Sequence, residues 1–168
     1  VKGTKRPTVV HIHTEKGHGF APAVENKEAW HWGLPFNKAD GSRQQKPAGE
    51  SFEELFSNWM LREMKRDKTL IAVTAGTPAA GGFTPDKRKE AGEQHIDMGI
   101  AEEQAVAMIS GMAKGGLRPV WTVYSTFIQR TYDQIAQDLC INSNPAVINV
   151  VYGGAGTMND ITHICLFD

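Results

Sequence analysis

Residues 100–125, IAEEQAVAMISGMAKGGLRPVWTVYS, decide the fold of this chain. Residues 102–114 predict a helix that is apolar on nearly all sides and is therefore buried, and Gly115 and Gly116 end it. The RPVWTVYS stretch that follows predicts a strand, because β-branched and aromatic residues dominate it. A strand thus follows a buried helix after a very short connection.

The same alternation of helices and strands extends to both sides of this stretch. Upstream, Ser51 opens a predicted helix, since SFEE is a capping box with Glu54 three residues after the cap. We expect strands in TLIAVTAG (69–76), HIDMGI (95–100) and NPAVINVVYGG (144–154), and a helix over 126–141. Strands that alternate with helices predict right-handed βαβ units, so the expected fold is α/β, a mostly parallel sheet flanked by helices.

The two flanking helices are each expected to bury one apolar face. In the first helix this face comprises Phe52, Leu55, Phe56, Trp59 and Met60. In the second it comprises Ile128, Tyr132, Ile135 and Leu139.

The N-terminal part of the chain is organised differently. RPTVVHIHT (6–14) predicts a strand, and a turn rich in Gly and Pro follows it. Residues 21–50 have no clear period and contain KADGSRQQKPAGES, which has the composition of a linker. We therefore expect residues 1–48 to end one domain and form an inter-domain linker, and residues 49–168 to form a second domain that is incomplete at its C-terminus. We interpret the chain as a piece of a longer polypeptide.

The composition argues against several classes of function. The 168 residues include 18 Lys or Arg and 19 Asp or Glu, so the net charge of −1 indicates no surface for nucleic acid or an anionic membrane. No apolar run approaches the roughly 20 residues of a membrane span. Two cysteines, Cys140 and Cys165, do not make a disulfide framework, which favours a reducing, cytoplasmic environment.

Glu102 and Glu103 stand side by side where the buried helix begins. Adjacent helical residues point about 100° apart, so only one of them can face the carboxyl ends of the strands, where parallel sheets bind ligands. Two interpretations remain open. Either both acids merely favour the positive end of the helix dipole, or one of them is a desolvated carboxyl held to share a proton with a ligand base.

Other candidate residues flank the same edge of the predicted sheet. Phe127 could stack on a heterocycle, and Arg130 could hold an anion with its guanidinium fork. The alternatives are core packing for Phe127 and a solvated surface position for Arg130. His163 is either a core histidine or a group of the site.

Three features of the N-terminal part are also compatible with binding. His11 and His13 alternate onto one side of the predicted strand as a metal pair, but no third ligand follows at a convincing spacing. Lys16 lies in a turn flanked by glycine and could reach a phosphate. His31 lies between two tryptophans in a loop, which favours a functional role.

The segments DMGIAEEQAV (97–106) and GMAKGGLRPVWTVYSTFIQRTYDQIAQDLCI (111–141) resemble the pyrimidine-binding domain of the 1-deoxy-D-xylulose-5-phosphate synthases, which are transketolase-like enzymes that use thiamine diphosphate. HIHTEKGHGFAPA and WHWGLPF resemble the segment that joins the first domain of that family to the second. The resemblance implies a transferase that decarboxylates pyruvate and condenses it with glyceraldehyde 3-phosphate, for isoprenoid and thiamine biosynthesis. The alternatives are a relative with another acceptor and a paralogue that binds without catalysis.

The resemblance assigns roles to residues of the C-terminal part. Glu102 matches the acid that activates the cofactor by hydrogen bonding to N1′ of its aminopyrimidine ring. Phe127 matches the aromatic residue that stacks on this ring, and Ile100 matches an apolar neighbour. Tyr124 and Arg130 match residues that line the substrate site, where Arg130 would hold the phosphate of the acceptor.

The resemblance also assigns roles outside that group. Lys16 and His31 match linker residues that reach cofactor and substrate, and His163 matches a histidine close to the reacting centre. The Gly-Asp-Gly…Asn motif with which the family binds magnesium and diphosphate does not occur here. We therefore expect the magnesium ligands in a missing N-terminal domain, an isolated chain that is inactive, and a homodimer as the working enzyme.

Two positions depart from the pattern of the family near the C-terminus. Tyr152 stands where an arginine is usual, and Asn159 stands where an aspartate is usual. Asp160 would substitute for that aspartate if the loop shifts by one residue. Because both usual residues help to bind a phosphorylated acceptor, the departures bear on which acceptor is used.

Overall fold

The computed structural model describes residues 1–31, 33, 35–42 and 49–153. The chain divides into two compact units, Val1–Ala48 and Gly49–Asp168. No helix in the described ranges combines the length and the apolar character that a membrane crossing would need.

The N-terminal unit contains a short helix, α1 (Ala21–Glu25). The prediction of a strand over 6–14 is wrong, because these residues belong to no strand and Val9 and Ile12 are exposed. An extended segment becomes a strand only by pairing with a second one. None of the described residues pairs with this segment.

An aromatic cluster gives the N-terminal unit its apolar contacts. The rings of Phe20 and Phe36 both lie against Trp30, with centroids 5.0 and 4.7 Å away in edge-to-face arrangements. Such pairs contribute about 0.5–1.5 kcal/mol beyond the area that they bury. The sequence pattern, which has no clear period in this region, did not predict the cluster.

The second unit is built on a four-stranded sheet with the order β2-β1-β3-β4, in which all neighbouring strands are parallel. The elements in chain order are α2 (Phe52–Arg66), β1 (Leu70–Thr74), α3 (Pro85–Ala91), β2 (His95–Asp97), α4 (Glu102–Lys114), β3 (Arg118–Tyr124), α5 (Ser125–Ile128), α6 (Tyr132–Gln134), a π-helix (Ile135–Ile141) and β4 (Val147–Val151). Short 3-10 turns cover Pro78–Gly81, Gly92–Gln94 and Gln129–Thr131. The predicted α/β fold is confirmed.

Helices cover both faces of the sheet, because alternate residues of each strand point to opposite faces. On one face, Val73 and Trp121 pack with Val106 and Ile109 of α4. On the other face, Ala72 packs with residues of α2. All four strands end at the same edge, which we call the carboxyl edge, and α2 and α4 begin there because each helix runs back to the start of the following strand.

Helix α4 begins and ends where the sequence predicts, but it is not buried all round. Its buried face comprises Glu102, Ala105, Val106, Ile109 and Ser110. The opposite face, which includes Glu103, Ala107, Gly111 and Lys114, is exposed. Alanine and glycine expose little apolar area, so a helix rich in them can face solvent although its sequence looks uniformly apolar.

Helix α2 is capped as predicted, but only part of the predicted apolar face is buried: Met60 lies in the core and Phe56 packs against it. The Ser51 hydroxyl accepts a hydrogen bond from the Glu54 N–H at 3.2 Å. The buried residues are Ser57, Met60, Leu61 and Met64, whereas Phe52 is 89% exposed and Leu55 and Trp59 are also exposed. The small Ser57 turns inwards because the chain at Gly82 packs directly against it, a contact that helical periodicity cannot reveal.

The helix predicted over 126–141 is interrupted. Leu139 is buried and Ile128 and Ile135 pack against the core, but Tyr132 is 78% exposed and lies outside it. The 3-10 turn over Gln129–Thr131 changes the helical phase, so that Thr131 is fully buried instead. Its hydroxyl donates to the Ile128 carbonyl at 2.7 Å.

Candidate functional site

Glu102 is the first residue of α4 and lies at the carboxyl edge. Its side chain is buried, with 2% of the residue exposed, and among the described residues its Oε2 atom has no hydrogen-bond partner. Buried carboxylates are normally hydrogen-bonded, because desolvation without compensation is unfavourable. The neighbouring Glu103 is exposed. Of the two adjacent acids, Glu102 is therefore the one that offers a buried, unbonded oxygen.

Arg130 brings a positive charge close to this oxygen. Its Nη1 atom lies 3.8 Å from Glu102 Oε2, which is an ion-pair distance but too long for a hydrogen bond. The arginine side chain is 58% exposed. Its guanidinium therefore bridges the buried acid and the solvent, which is an arrangement that can also receive an anionic ligand.

An aromatic strip continues from this pair along the carboxyl edge. The ring of Phe127, in α5, lies edge-on to the ring of Tyr124 at the end of β3, with centroids 5.7 Å apart. Tyr124 in turn lies against Tyr152, with centroids 5.1 Å apart and a tilt of 33°. Phe127 also packs against the core under α4. Phe127 therefore combines the two alternatives that the sequence left open, since it packs against the core and also lies at the edge where a ligand could stack on it.

Ile100 presents an apolar side chain at the same edge. It is 83% exposed, which is unusual for isoleucine. It follows Gly99, whose φ of 67° lies in the left-handed region. It also lies close to Gly76 in the loop after β1, where an added Cβ atom would approach Ile100 Cγ1 to 3.1 Å.

Asp97 holds the loop after β1 in place, although it was not among the site residues predicted from the sequence. Its Oδ1 atom accepts the backbone N–H of Gly99 at 2.9 Å and that of Gly76 at 2.8 Å. The first bond is a local turn that the spacing of Asp97 and Gly99 could have indicated. The second joins the loops after β1 and β2, and no local pattern predicts it.

Tyr152 follows β4 and adopts a φ of 58°, which is uncommon for a residue other than glycine. Its hydroxyl interacts with Glu53 in the first turn of α2. Its carbonyl accepts a hydrogen bond from the Ser125 hydroxyl at 3.2 Å. Burial, together with the charge of Glu53, raises the pKa of Tyr152 to about 12. The pKa of Glu53 is lowered, first by its own backbone N–H and then by the hydroxyls of Ser51 and Tyr152.

The N-terminal unit brings two of its own candidates together. Lys16 Nζ is in direct contact with His31 Nδ1. The rings of His11 and His13 are also close, with centroids 4.1 Å apart. Within the described ranges no group of three His, Cys, Asp or Glu side chains could hold a metal ion.

Three predicted site residues, Asn159, Asp160 and His163, lie outside the described residues. The same holds for Cys165, whereas Cys140 is a free, exposed cysteine.

The comparison with protein families identifies the second unit. Residues 50–162 match the model described as the pyrimidine-binding domain of transketolase. This chain belongs to the transketolase pyrimidine-binding domain family. The resemblance seen in the sequence is thereby confirmed, and the parallel sheet with helices on both faces is the fold of this pyrimidine-binding domain.

Individual relatives are similar over almost the entire chain. It is 35% identical over 164 residues to the 1-deoxy-D-xylulose-5-phosphate synthase of Halothermothrix orenii, covering 98% of this chain and 26% of the relative. It is 38% identical over 168 residues to 1-deoxy-D-xylulose-5-phosphate synthase 1 of Geobacter sulfurreducens, covering 99% of this chain and 26% of the relative. The chain thus spans about a quarter of the length of the curated relatives it matches.

Proposed function

We propose that this chain supplies the pyrimidine-binding half of a thiamine diphosphate site. The enzyme would decarboxylate pyruvate and condense the remaining two carbons with glyceraldehyde 3-phosphate to give 1-deoxy-D-xylulose 5-phosphate, for isoprenoid precursors and thiamine. The names of the relatives support this reaction. The observation that carries the proposal is the buried Glu102 carboxyl with its unbonded Oε2 atom. We use the term complete enzyme for a protein that contains this chain and has the full length of its relatives.

The carboxyl edge fits the aminopyrimidine ring of this cofactor. A flat heterocycle needs one polar partner for its ring nitrogen and apolar surfaces for the ring itself. Glu102 Oε2 offers the first, and the side chains of Phe127 and Ile100 offer the second. When bound, thiamine diphosphate supplies the carbon nucleophile that attacks the keto carbon of pyruvate.

Glu102 would act by holding a proton at Oε2, between its carboxyl group and the ring nitrogen. Its burial matters because water at this position would compete for the same proton. Arg130, 3.8 Å away, lies at an ion-pair distance from this oxygen without forming a hydrogen bond that would occupy it. The acid is therefore kept available for a partner.

The substrates would bind beside this centre. The exposed part of Arg130 fits the phosphate of the acceptor, because a guanidinium binds a phosphate with two parallel hydrogen bonds. Tyr124 would line the same space. The proposal extends to Lys16, His31, Asn159, Asp160 and His163 in the roles that the resemblance implies, and it assigns the diphosphate and magnesium to another part of the complete enzyme.

The organisation of the enzyme is also part of the proposal. Residues 1–48 would end the preceding domain and form the linker, and residues 49–168 would belong to the pyrimidine-binding domain. The complete enzyme would be a cytoplasmic homodimer.

Substitution of Glu102 by Gln tests the proposal. In the complete enzyme, Glu102→Gln removes the proton-holding carboxyl with little change in shape, so kcat/KM should fall by at least about 100-fold. Glu103→Gln is the matched control, because it removes the same charge from the exposed neighbouring position, and it should stay within about twofold of the wild type. Unchanged activity of Glu102→Gln would overturn the assignment.

One observation favours a second candidate, the same chemistry with an acceptor that carries no phosphate. Glu53, bonded to Tyr152, places a second carboxylate at the carboxyl edge, where it would repel a phosphate. The ratio of kcat/KM for glyceraldehyde 3-phosphate to that for glyceraldehyde separates the two candidates. A ratio well above one supports the first candidate, and a ratio below one supports the second.

A further inference from the structure

The loop between β2 and α4 determines where Glu102 and Ile100 lie. It spans only residues 98–101, and it connects the last residue of β2 directly to the acid at the start of α4. The first residue after β2, Met98, still follows the sheet, since its N–H donates to the Thr74 carbonyl at 2.9 Å. The chain must turn from strand to helix within the three residues that remain.

Helix α4 provides no side chain of its own to fix this turn. Its N-cap residue is Ala101, so no side chain accepts a hydrogen bond from the first turn. Most helices use Ser, Thr, Asp or Asn at this position, and such a cap contributes about 1 kcal/mol. The direction in which α4 starts is therefore set by the loop before it.

The loop is held by Asp97 and two glycines. Asp97 Oδ1 accepts the N–H groups of Gly76 and Gly99 at 2.8 and 2.9 Å. Both glycines have φ in the left-handed region, at 76° and 67°. Gly76 also allows the loops to approach closely, since a Cβ atom there would lie 3.3 Å from the backbone N of Ile100. One carboxylate oxygen thus fastens the loop after β1 to the loop after β2.

We propose that Asp97 is a positioning residue, which through Gly76 and Gly99 holds Ile100 and Glu102 in place for the pyrimidine ring of the cofactor. The inference rests on the function proposed above, because it concerns the same site. Asp97 itself would touch neither cofactor nor substrate. A loop that is not fastened would let Ile100 and the first turn of α4 move, and displacement of a catalytic group by about 1 Å can reduce a rate 100-fold.

Three variants of the complete enzyme test this role. Asp97→Ala removes both hydrogen bonds, whereas Asp97→Asn keeps a carbonyl oxygen that can accept both. Asp67→Ala is the matched control. Asp67 Oδ1 likewise accepts a backbone N–H and a hydroxyl, both from Thr69, but it lies before β1 at the opposite edge of the sheet.

The measurements are kcat, the dissociation constant of thiamine diphosphate by calorimetry, and hydrogen exchange of the amides at 76 and 99–106 without cofactor. Asp97→Ala should lower kcat about 30-fold, weaken cofactor binding about tenfold and speed exchange at these amides. Asp97→Asn should restore most of each value. Asp67→Ala should lower thermal stability but leave kcat and cofactor binding within about twofold of the wild type.

Gly76→Ala provides an independent variant if Asp97→Ala does not fold. It disturbs the same loop from the side of β1 and leaves Asp97 unchanged, so it should lower kcat and cofactor affinity in the same way. Equal effects of Asp67→Ala and Asp97→Ala on kcat and cofactor binding would overturn the inference. Wild-type values for Asp97→Ala would overturn it as well while the Glu102→Gln result still supported the proposed function. If Glu102→Gln is fully active, both fail together.

Discussion

The helices α2 and α4 begin at the same edge of the sheet, each with two glutamates in its first turn, and the protein treats these acids differently. The pKa of Glu53 of α2 is lowered by its own backbone N–H and by the hydroxyls of Ser51 and Tyr152. Glu102 of α4 is more deeply buried, yet its Oε2 atom has no hydrogen bond among the described residues. The first acid is engaged within the structure, whereas the second leaves a buried oxygen unbonded, as the proposed function requires.

The two helices also begin in different ways. A serine caps α2, whereas α4 has an alanine at its N-cap position, and the loop before α4 is held by Asp97. A residue inserted as a cap at position 101 would bring a polar side chain next to Glu102. In the structure, the residue that holds the turn is instead Asp97, at the end of β2. The comparison teaches that α2 is fixed at its start by its own cap, whereas α4 is fixed by the loop before it, which leaves the surroundings of Glu102 free for the proposed function.

The largest effect is expected where the first turn of α2 meets the chain at Gly82. This glycine has a φ of 71°, and a Cβ atom there would lie 2.0 Å from the Glu53 carbonyl oxygen. Because the obstacle is backbone, Gly82→Ala should lower the free energy of unfolding by about 3 kcal/mol or more. Urea titration measures this loss.

Gly111→Ala is the control for this prediction. Gly111 lies on the exposed face of α4, and an added Cβ atom there would meet no atom within 4 Å. Alanine should therefore raise the free energy of unfolding by about 0.5–1 kcal/mol, because glycine is unfavourable inside a helix. If Gly82→Ala were as stable as Gly111→Ala, the first turn of α2 would be able to move away from the new side chain, and it would not be a rigid start of the helix.

Much of this fold could be predicted from the sequence, because its elements follow local rules. The cap at Ser51, the glycines after Lys114 and the β-branched run of β3 each depend on neighbouring residues only. The strand predicted over 6–14 failed because a strand depends on a partner that the local pattern does not contain. The prediction that Tyr132 belongs to a buried helix face was wrong because a 3-10 turn changed the phase of the helix.

The site was predictable to a different degree. The spacing of Glu102 and Glu103 implies that only one of them faces inwards, and the structure identifies Glu102. The hydrogen bonds from Gly76 to Asp97 and from Tyr152 to Glu53 join residues that lie far apart in the chain. Such contacts depend on strand order and register, which no single stretch of sequence specifies.

A smaller effect on stability is expected from the Tyr152 hydroxyl, which interacts with Glu53. The pKa of Tyr152 is raised from 10.0 to about 12. A raised folded-state pKa stabilises the protein below the unfolded value, so this contribution is complete below pH 10 and is lost as the pH rises towards 12. Since the tyrosine is partly exposed, solvent screening reduces the contribution to about 1.5 kcal/mol.

Tyr152→Phe should remove this pH dependence. The difference in the free energy of unfolding between wild type and Tyr152→Phe should be constant below pH 9 and should shrink between pH 10 and 12. A difference that stays constant up to pH 12 would mean that neither burial nor the charge of Glu53 raises the pKa of the Tyr152 phenol.

The smallest effect separates the two helix starts most directly. Ser51 has extended backbone angles, with φ −79° and ψ 163°, which let its hydroxyl reach the Glu54 N–H, so Ser51→Ala should cost about 1 kcal/mol. Ala101 has φ −155° and ψ 69°, an orientation from which a serine hydroxyl does not point at the first turn. Ala101→Ser should therefore change the free energy of unfolding by less than about 0.3 kcal/mol. Thermal unfolding of both variants measures these changes. If Ala101→Ser raised the free energy of unfolding by as much as Ser51→Ala lowered it, a cap would stabilise α4 after all. The loop before α4 would then not be what fixes the start of this helix.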